Sequence, residues 1–450
     1  MKVSNYNFFW DTENDNKIAY NSMTNALAEV DDKFFEILDN VAFLQYGSLS
    51  DEEQKIYAEM RRGFFIVEDC VDELKILKAR HRIGRYGVNG LGLTIAPTMN
   101  CNFKCPYCYE TPKPGVMKKE IQDAIIKTVK EYAENKCASV GLTWYGGEPL
   151  LAKDVVYNLS GKIIDICDEH EMQFQNYIVT NGYLLDDDDI RKFKEINMSG
   201  AQITLDGPPH IHNQRRVLKL GKKGTFDVIV NNIIKLAENK IRPEIRINVD
   251  KNNEDYIEEL VDILIAKGLK DIGIHLGHVS AETEACSSIA GTCLKTEEYA
   301  MNNYKFQRML NQKKMNSHFY PKVKTNYCSA DAQNGYVIDA EGYMYKCWCE
   351  VGQTDLASGH IVEDDSIRSV QRNMARKAVW MTWDPFEFDN CLECKLLPLC
   401  MGGCPDVGLR EGEPNCEFWK YTLEQALKMT YTKELSRKGK QKTVQKAEMA

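Results

Sequence analysis

Short apolar runs alternate with amphipathic stretches through the middle of the chain. The runs cover residues 91–96, 140–145, 173–179, 201–205, 244–249 and 271–278. Between and after them, apolar residues recur at three- and four-residue spacing over 118–135, 152–170, 187–196, 225–239, 253–267 and 296–313. The first pattern is that of strands buried on both faces, the second that of helices with one apolar stripe. Six strand–helix units in strict alternation predict an α/β fold with a parallel sheet and crossover helices. Its extent suggests an open three-quarter barrel, a partial (β/α)6 relative of the TIM barrel. In such sheets the chemistry gathers at the C-terminal ends of the strands.

The first 88 residues are patterned differently. An aromatic run at 6–10, a turn-rich stretch at 11–16 and a second run at 17–22 predict a hairpin. Apolar residues at Leu27, Val30, Phe34, Phe35, Ile37 and Leu38 predict a helix over 25–38. A second helix is expected over 51–61, with acidic residues in its first turn, then a short strand at 63–67 and a third helix over 69–80. Residues 75–85 are basic, which a solvated helix face explains as well as a binding surface does. Beyond 315, residues 335–348 read as another hairpin, turning at Asp339 to Gly342. From Lys433 onward the chain is basic and poor in apolar residues, so a frayed tail is expected at 433–450.

Composition narrows the function classes. The 450 residues are 43% hydrophobic and 27% charged, as in ordinary globular proteins, with a formal net charge of −9. That charge disfavours nucleic acid and anionic membranes as partners. The N-terminus has no apolar core of signal-peptide length, and no apolar run is long enough to span a bilayer. A cytoplasmic location is expected. Sixteen cysteines are many for such a chain, and disulfides are not expected in that compartment. Cys70, Cys137, Cys167, Cys286 and Cys293 stand apart, with Cys137 and Cys167 in contexts that suit buried small hydrophobes. The others cluster at metal-like spacings.

Cys101-x3-Cys105-x2-Cys108 follows the first predicted strand. Three soft thiolates in one loop suit an iron–sulfur cluster or zinc, and both usually need a fourth ligand. Gly146-Gly147-Glu148-Pro149 follows the second strand, Thr180-Asn181-Gly182 the third and Asp206-Gly207-Pro208-Pro209 the fourth. His212-Asn213-Gln214-Arg215-Arg216 and Gly224-Thr225-Phe226 come next, and Asn248 closes the fifth strand. Each alone is an ordinary turn or stop sequence. Farther on, Cys328 and Cys347 are followed by Cys391-x2-Cys394-x5-Cys400-x3-Cys404 and then Cys416. Seven thiols in two groups suit two zinc sites or two iron–sulfur clusters.

With these residues in this order, the chain resembles the radical S-adenosylmethionine (SAM) enzymes. The resemblance implies that Cys101, Cys105 and Cys108 hold three irons of a [4Fe–4S] cluster whose fourth iron binds SAM. One electron then cleaves SAM, and a 5′-deoxyadenosyl radical removes a hydrogen atom from the substrate. It places Tyr107 near the adenine, Gly146, Gly147 and Glu148 at the SAM amino group, and Thr180, Asn181, Asp206, Arg216 and Asn248 among the other SAM contacts. Asn213 stands where the family usually has Asp, so no acidic role is expected there. His275 and His278 are expected to be structural. The resemblance names no catalytic side chain.

The second thiol array resembles the SPASM extension. It implies that Cys391, Cys394, Cys400 and Cys416 hold auxiliary cluster II, and that Cys328, Cys347 and Cys404 hold auxiliary cluster I, three [4Fe–4S] clusters in all. No cysteine follows Cys328 closely enough to close auxiliary I, which leaves an open iron for a substrate thiolate, or Cys349 as the closing ligand. The small N-terminal region resembles the winged-helix-like domain that binds leader peptides. The expected division is 1–88 for leader recognition, 89–315 for the radical SAM core, 316–432 for the SPASM domain and 433–450 for the tail.

Taken together, the chain is similar to the maturases that form thioether crosslinks in ribosomally made peptides, the sactipeptide and ranthipeptide (SCIFF) type. The implied partners are a precursor peptide supplied in trans and a low-potential electron donor. Two rivals remain. Anaerobic sulfatase-maturating enzymes share the barrel and the array but oxidise a protein Cys or Ser. A zinc-containing peptide- or DNA-binding protein would explain the thiols without catalysis.

Overall fold

The structure, a computed structural model, describes residues 1–13, 15–221, 223–281, 283–317, 319–362 and 367–448. The chain divides into two compact units. One comprises Met1–Arg85, His318–Tyr327 and Asp384–Ala450, the other Tyr86–Ser317 and Cys328–Trp383.

In the smaller unit, β1 (Lys2–Val3) precedes an antiparallel sheet of β2 (Asn7–Asp11), β3 (Lys17–Asn21) and β4 (Ala26–Val30), in that order across the sheet. The expected hairpin is β2–β3, with Asp11 opposite Lys17; Asn14 of its turn lies outside the described residues. The expected helix over 25–38 is corrected. Asn25 turns the chain with φ 64°, and 26–30 pairs with β3 as β4. Helix α1 (Asp32–Asn40) begins only after Asp31, whose carboxylate accepts from the Phe34 N–H at 3.0 Å. The apolar positions at 27 and 30 suit either period, and the N-cap decides where the helix starts. Helix α2 (Asp51–Arg62) opens with the reciprocal Ser50–Glu53 capping box. The strand β5 (Ile66–Val67) pairs antiparallel with β1. Helix α3 (Glu73–Tyr86) starts later than expected, where Asp72 accepts from the Lys75 N–H at 3.0 Å. Its basic run is not uniformly solvated, since His81 and Arg85 are buried. Phe34, Ile37, Leu38, Tyr57, Met60 and Phe65 form the core of this half.

The larger unit holds the predicted strand–helix units. They run β6 (Gly90–Ile95), α4 (Lys119–Glu134), β7 (Ser139–Trp144), α5 (Lys153–Glu169), β8 (Gln173–Thr180), α6 (Asp187–Glu195), β9 (Met198–Thr204), α7 (Pro209–Arg215), α8 (Phe226–Glu238), β10 (Arg242–Val249), α9 (Ile257–Ala266), β11 (Gly273–His278) and α10 (Thr296–Gln312). Strands β6 to β11 are parallel and lie side by side in chain order. Helix α7 was not expected. Pro208-Pro209 reads as a stop, but Pro209 occupies the first helical turn, where its missing N–H costs nothing.

The hairpin β12 (Gly335–Ile338) and β13 (Tyr343–Tyr345) is present, and β14 (Gly359–His360) pairs with β13. Strand β12 pairs in parallel with β6, register Gly335 opposite Gly92, so the hairpin and β14 extend the barrel sheet to nine strands. Residues 328–383, including α11 (Ile367–Thr382), belong with the barrel, and Asp384 onward with the N-terminal region.

The C-terminal part of the smaller unit has α12 (Asp389–Leu392), α13 (Leu397–Cys400), α14 (Pro405–Glu411) and α15 (Trp419–Glu448). The expected frayed tail is instead the continuation of α15 through Glu448; residues 449 and 450 lie outside the described residues. Lys, Gln, Glu and Ala, frequent in this stretch, are good helix formers. No helix among the described residues is long and apolar enough to cross a membrane.

Candidate active site

The loop after β6 carries Cys101, Cys105 and Cys108 and is pinned on several sides. The Lys104 N–H donates to the Val217 carbonyl at 2.9 Å, and the Lys219 N–H to the Asn102 carbonyl at 2.8 Å. Across from it lies the loop after β7. Gly146 has φ 111°, and a Cβ there would stand 2.5 Å from the Thr98 carbonyl oxygen. A Cβ on Gly147 would stand 2.3 Å from the Asn100 carbonyl oxygen. Both positions therefore need glycine for the two loops to touch. The loops enclose a cavity of about 450 Å³ whose lining includes Cys101, Cys105, Cys108, Glu110, Gly147 and Lys219. Burial pushes the Cys101 thiol up to about 11.

Glu148 is fully buried, and its carboxylate is occupied by the chain itself. It accepts from the Leu150 N–H at 3.0 Å, the Thr180 hydroxyl at 2.7 Å and the Asn181 N–H at 2.8 Å. Burial raises its proton affinity, and these donors oppose that shift. Glu148 thus ties the loop after β7 to the end of β8. The Asn181 side chain reaches on, donating to Asn102 Oδ1 at 2.7 Å.

Asp206, at the end of β9, is the hub of a second network. It accepts from the Tyr107 hydroxyl and from the Asn248 N–H at 3.1 Å. Arg216 Nη1 donates to the Tyr107 hydroxyl at 2.8 Å. Arg215 grips Asp250 with two bonds of 2.9 Å and stacks its guanidinium over the Tyr107 ring. Asn213 Oδ1 accepts from the N–H groups of Thr225 and Phe226 at 2.8 and 3.0 Å, so it caps α8 from a distance. His278 stacks on Tyr299 and bonds to the Leu294 carbonyl, and His275 lies 3.6 Å from Glu244.

In the cavity lining, both carboxylate oxygens of Glu110 are buried and make no well-formed hydrogen bond; Nδ2 of Asn102, beside Cys101 in the chain, and Nε of Arg216 are likewise buried and unbonded. Burial pushes the Glu110 carboxyl up to about 7. Glu110 lines this cavity, and Asn102, Arg215 and Asp250 join the networks beside it, although the strand-end motifs gave none of the four a role. Glu110 had a signal, standing two residues past Cys108.

The smaller unit gathers a second thiol set. Burial pushes the Cys391 thiol up to about 11 and the Cys400 thiol up to about 12, with neighbouring Cys394 adding to both shifts. Gly403 keeps the turn after Cys400 closed, since a Cβ there would overlap the Asn415 carbonyl oxygen. Of the remaining predicted ligands, Cys328 and Cys347 belong to the larger unit and Cys404 to the smaller. The thiols of Cys347 and Cys349 lie within 4.8 Å of each other.

Residues 95–264 match the model of the radical SAM superfamily. This stretch is a radical SAM domain. The cysteine-type anaerobic sulfatase-maturating enzyme of Clostridium novyi (strain NT) is 24% identical over 385 residues, 76% of this chain and 97% of that enzyme. The sporulation killing factor maturation protein SkfB of Bacillus subtilis (strain 168) is 24% identical over 281 residues, 61% of this chain and 63% of SkfB. Among solved structures, Streptococcus suis SuiB bound to precursor peptide SuiA matches with a TM-score of 0.54 at 16% identity. That match covers 92% of this chain and 98% of SuiB, a likeness of fold.

A radical SAM domain implies SAM and a [4Fe–4S] cluster, and the residues present fit both. Three thiols line one cavity, the donor set such a cluster takes. The buried polar atoms left without partners around it include donors and acceptors. SAM, with its ammonium, carboxylate and hydroxyls, offers counterparts to each.

Proposed function

We propose that this radical SAM protein matures a ribosomally made peptide by joining a peptide cysteine sulfur to a carbon of an acceptor residue as a thioether. The substrate loses the S–H and C–H hydrogens, and the two electrons of that oxidation leave the substrate. The bound cluster and SAM would supply a radical able to remove a hydrogen atom.

This chain's residues divide the remaining work. Cys101, Cys105 and Cys108 would hold the cluster, with Gly146 and Gly147 allowing close approach. Glu148 would brace the loops that meet SAM, while Tyr107, Thr180, Asn181, Asp206, Arg216 and Asn248 would shape its pocket. Cys391, Cys394, Cys400 and Cys416 would hold one auxiliary [4Fe–4S] cluster. Cys328, Cys347 and Cys404 would hold another through three thiols, with the peptide thiolate as its fourth ligand. A low-potential electron donor would start the cycle.

The observation that carries the peptide assignment is the groove beside β4. That strand has one neighbour in its sheet. Next to it lies a groove of about 710 Å³ lined by 26–31 together with Phe34, Ile56, Met60 and Phe65, with Lys55 and Arg62 also on its walls. An extended leader could add a strand there through main-chain hydrogen bonds and seat an apolar side chain in the groove. SuiB, a fold match over 92% of this chain, was solved with its precursor peptide.

A second reading is oxidation of a protein Cys or Ser to an aldehyde. It is favoured by the match to 97% of the Clostridium novyi sulfatase-maturating enzyme. Co-expression with cysteine-rich peptides encoded nearby, followed by tandem mass spectrometry, separates the two. A thioether leaves the peptide lighter by two hydrogens with no fragments inside the ring; an aldehyde is trapped by hydrazide. Replacing Cys101, Cys105 and Cys108 by Ala should abolish both products and SAM cleavage while removing about four irons per chain. Anaerobically purified protein holding zinc and no sulfide would sink the proposal.

A further inference from the structure

Glu110 stands two residues past Cys108 and lines the cluster cavity. It is 6% exposed, and neither of its carboxylate oxygens has a hydrogen-bond partner. The Tyr145 hydroxyl, which meets the Tyr109 hydroxyl, also lies near enough to the Glu110 carboxyl to oppose the effect of burial in part. A buried carboxyl whose oxygens make no well-formed hydrogen bond is costly to keep, so a group that arrives with a ligand is the natural way to satisfy it. The loop around it is fixed: the Cys108 N–H donates to the Cys105 carbonyl at 3.2 Å, and the Thr283 hydroxyl to the Tyr109 carbonyl at 2.9 Å. Glu110 therefore cannot easily swing to water.

The other acids near the cavity are differently placed. Glu148 already accepts three bonds from its own chain, two at Oε1 and one at Oε2, that tie the loops together. Glu284, also in the lining, is exposed. SAM is a sulfonium that also carries an ammonium group, so a cavity that receives it gains from an anionic wall, most of all where water is excluded.

We propose that Glu110 is a SAM-binding residue, its carboxylate receiving an N–H group of the cation seated in the cluster cavity. The inference rests on the radical SAM reading of this cavity and adds a contact that none of the strand-end motifs supplies. The position tolerates an acceptor of the same shape better than the loss of one.

The test uses full-length protein reconstituted with iron and sulfide, as wild type, Glu110→Gln and Glu110→Ala. SAM affinity is measured by equilibrium dialysis, and the electron paramagnetic resonance signal of the reduced protein is recorded with and without SAM. Glu110→Ala should bind SAM at least about tenfold more weakly, and Glu110→Gln should lose less, since a charge-assisted bond is stronger than a neutral one. Iron content and the SAM-free signal should stay as in wild type. Wild-type affinity in both variants overturns the inference, and so does loss of iron in both, which would make Glu110 a structural support of the cluster. Wild-type protein that takes up no cluster would instead overturn the radical SAM reading itself.

Discussion

Contact at the cavity is decided by single atoms. Gly147 faces two carbonyl oxygens, and a Cβ there would stand 2.3 Å from that of Asn100 and 2.7 Å from that of Met99. Both obstacles are backbone in the loop that carries the cysteines, so one loop must move. Gly147→Ala is expected to fold, to bind SAM at least about tenfold more weakly and to lose about 1–3 kcal/mol of stability. Dialysis and a thermal melt check this, with Gly141→Ala, where a Cβ meets nothing within 4 Å, as the control. If the two variants behave alike, close packing of the loops is not what Gly147 provides. The glycine pair was legible in the sequence because its order after a strand is informative. Glu148 was singled out by its place after a strand, but its bonds to Thr180, Asn181 and Leu150 were not legible, because they join chain positions up to 33 residues apart.

Elements carry the same lesson about local and distant information. Helix α8 has no cap from its own first residue; Asn213 supplies the acceptor for two of its N–H groups. Asn213→Ala should cost about 0.5–2 kcal/mol in a denaturant melt. Asn213→Asp should match or exceed wild type, because a carboxylate also suits the positive end of the helix. Equal stability of all three would show that the cap contributes nothing. The departure from Asp at this position thus keeps the acceptor and drops only the charge. All six barrel strands were legible, with ends within three residues, because each is long, apolar and followed by a strongly periodic helix. The helix expected over 25–38 was misread where five residues, Ala26 to Val30, fit both periods. The parallel pairing of β12 with β6 was invisible for another reason. A hairpin pattern specifies the partner inside the hairpin, not the sheet it joins.

At the scale of the whole molecule, the two units change which experiment tests leader capture. Deleting residues 1–85 looks like a clean removal of a peptide-binding region, yet those residues share a core with the second thiol set. Tyr6, Met23 and Leu77 pack with Phe386, Cys391, Leu397 and Met401. Lys395 Nζ donates to the Asn7 carbonyl at 3.0 Å, and the Ser22 hydroxyl to the Lys395 carbonyl at 2.5 Å. The deletion should therefore also lose the iron held by Cys391, Cys394, Cys400 and Cys416, about a third of the total if three like clusters are present. Activity lost with that iron says nothing about the leader. A substitution in the groove separates the two effects. Ile56 is half-buried on the groove wall beside β4, and a charge there opposes entry of an apolar side chain at a stability cost of about 1–2 kcal/mol. Ile56→Glu should keep wild-type iron, sulfide and peptide-free SAM cleavage, while turnover of full-length precursor falls at least about tenfold. Turnover of a leaderless core peptide should be unaffected. If Ile56→Glu turns over the full-length precursor as wild type does, the groove beside β4 is not where the leader binds, and the free edge of that strand loses its functional meaning.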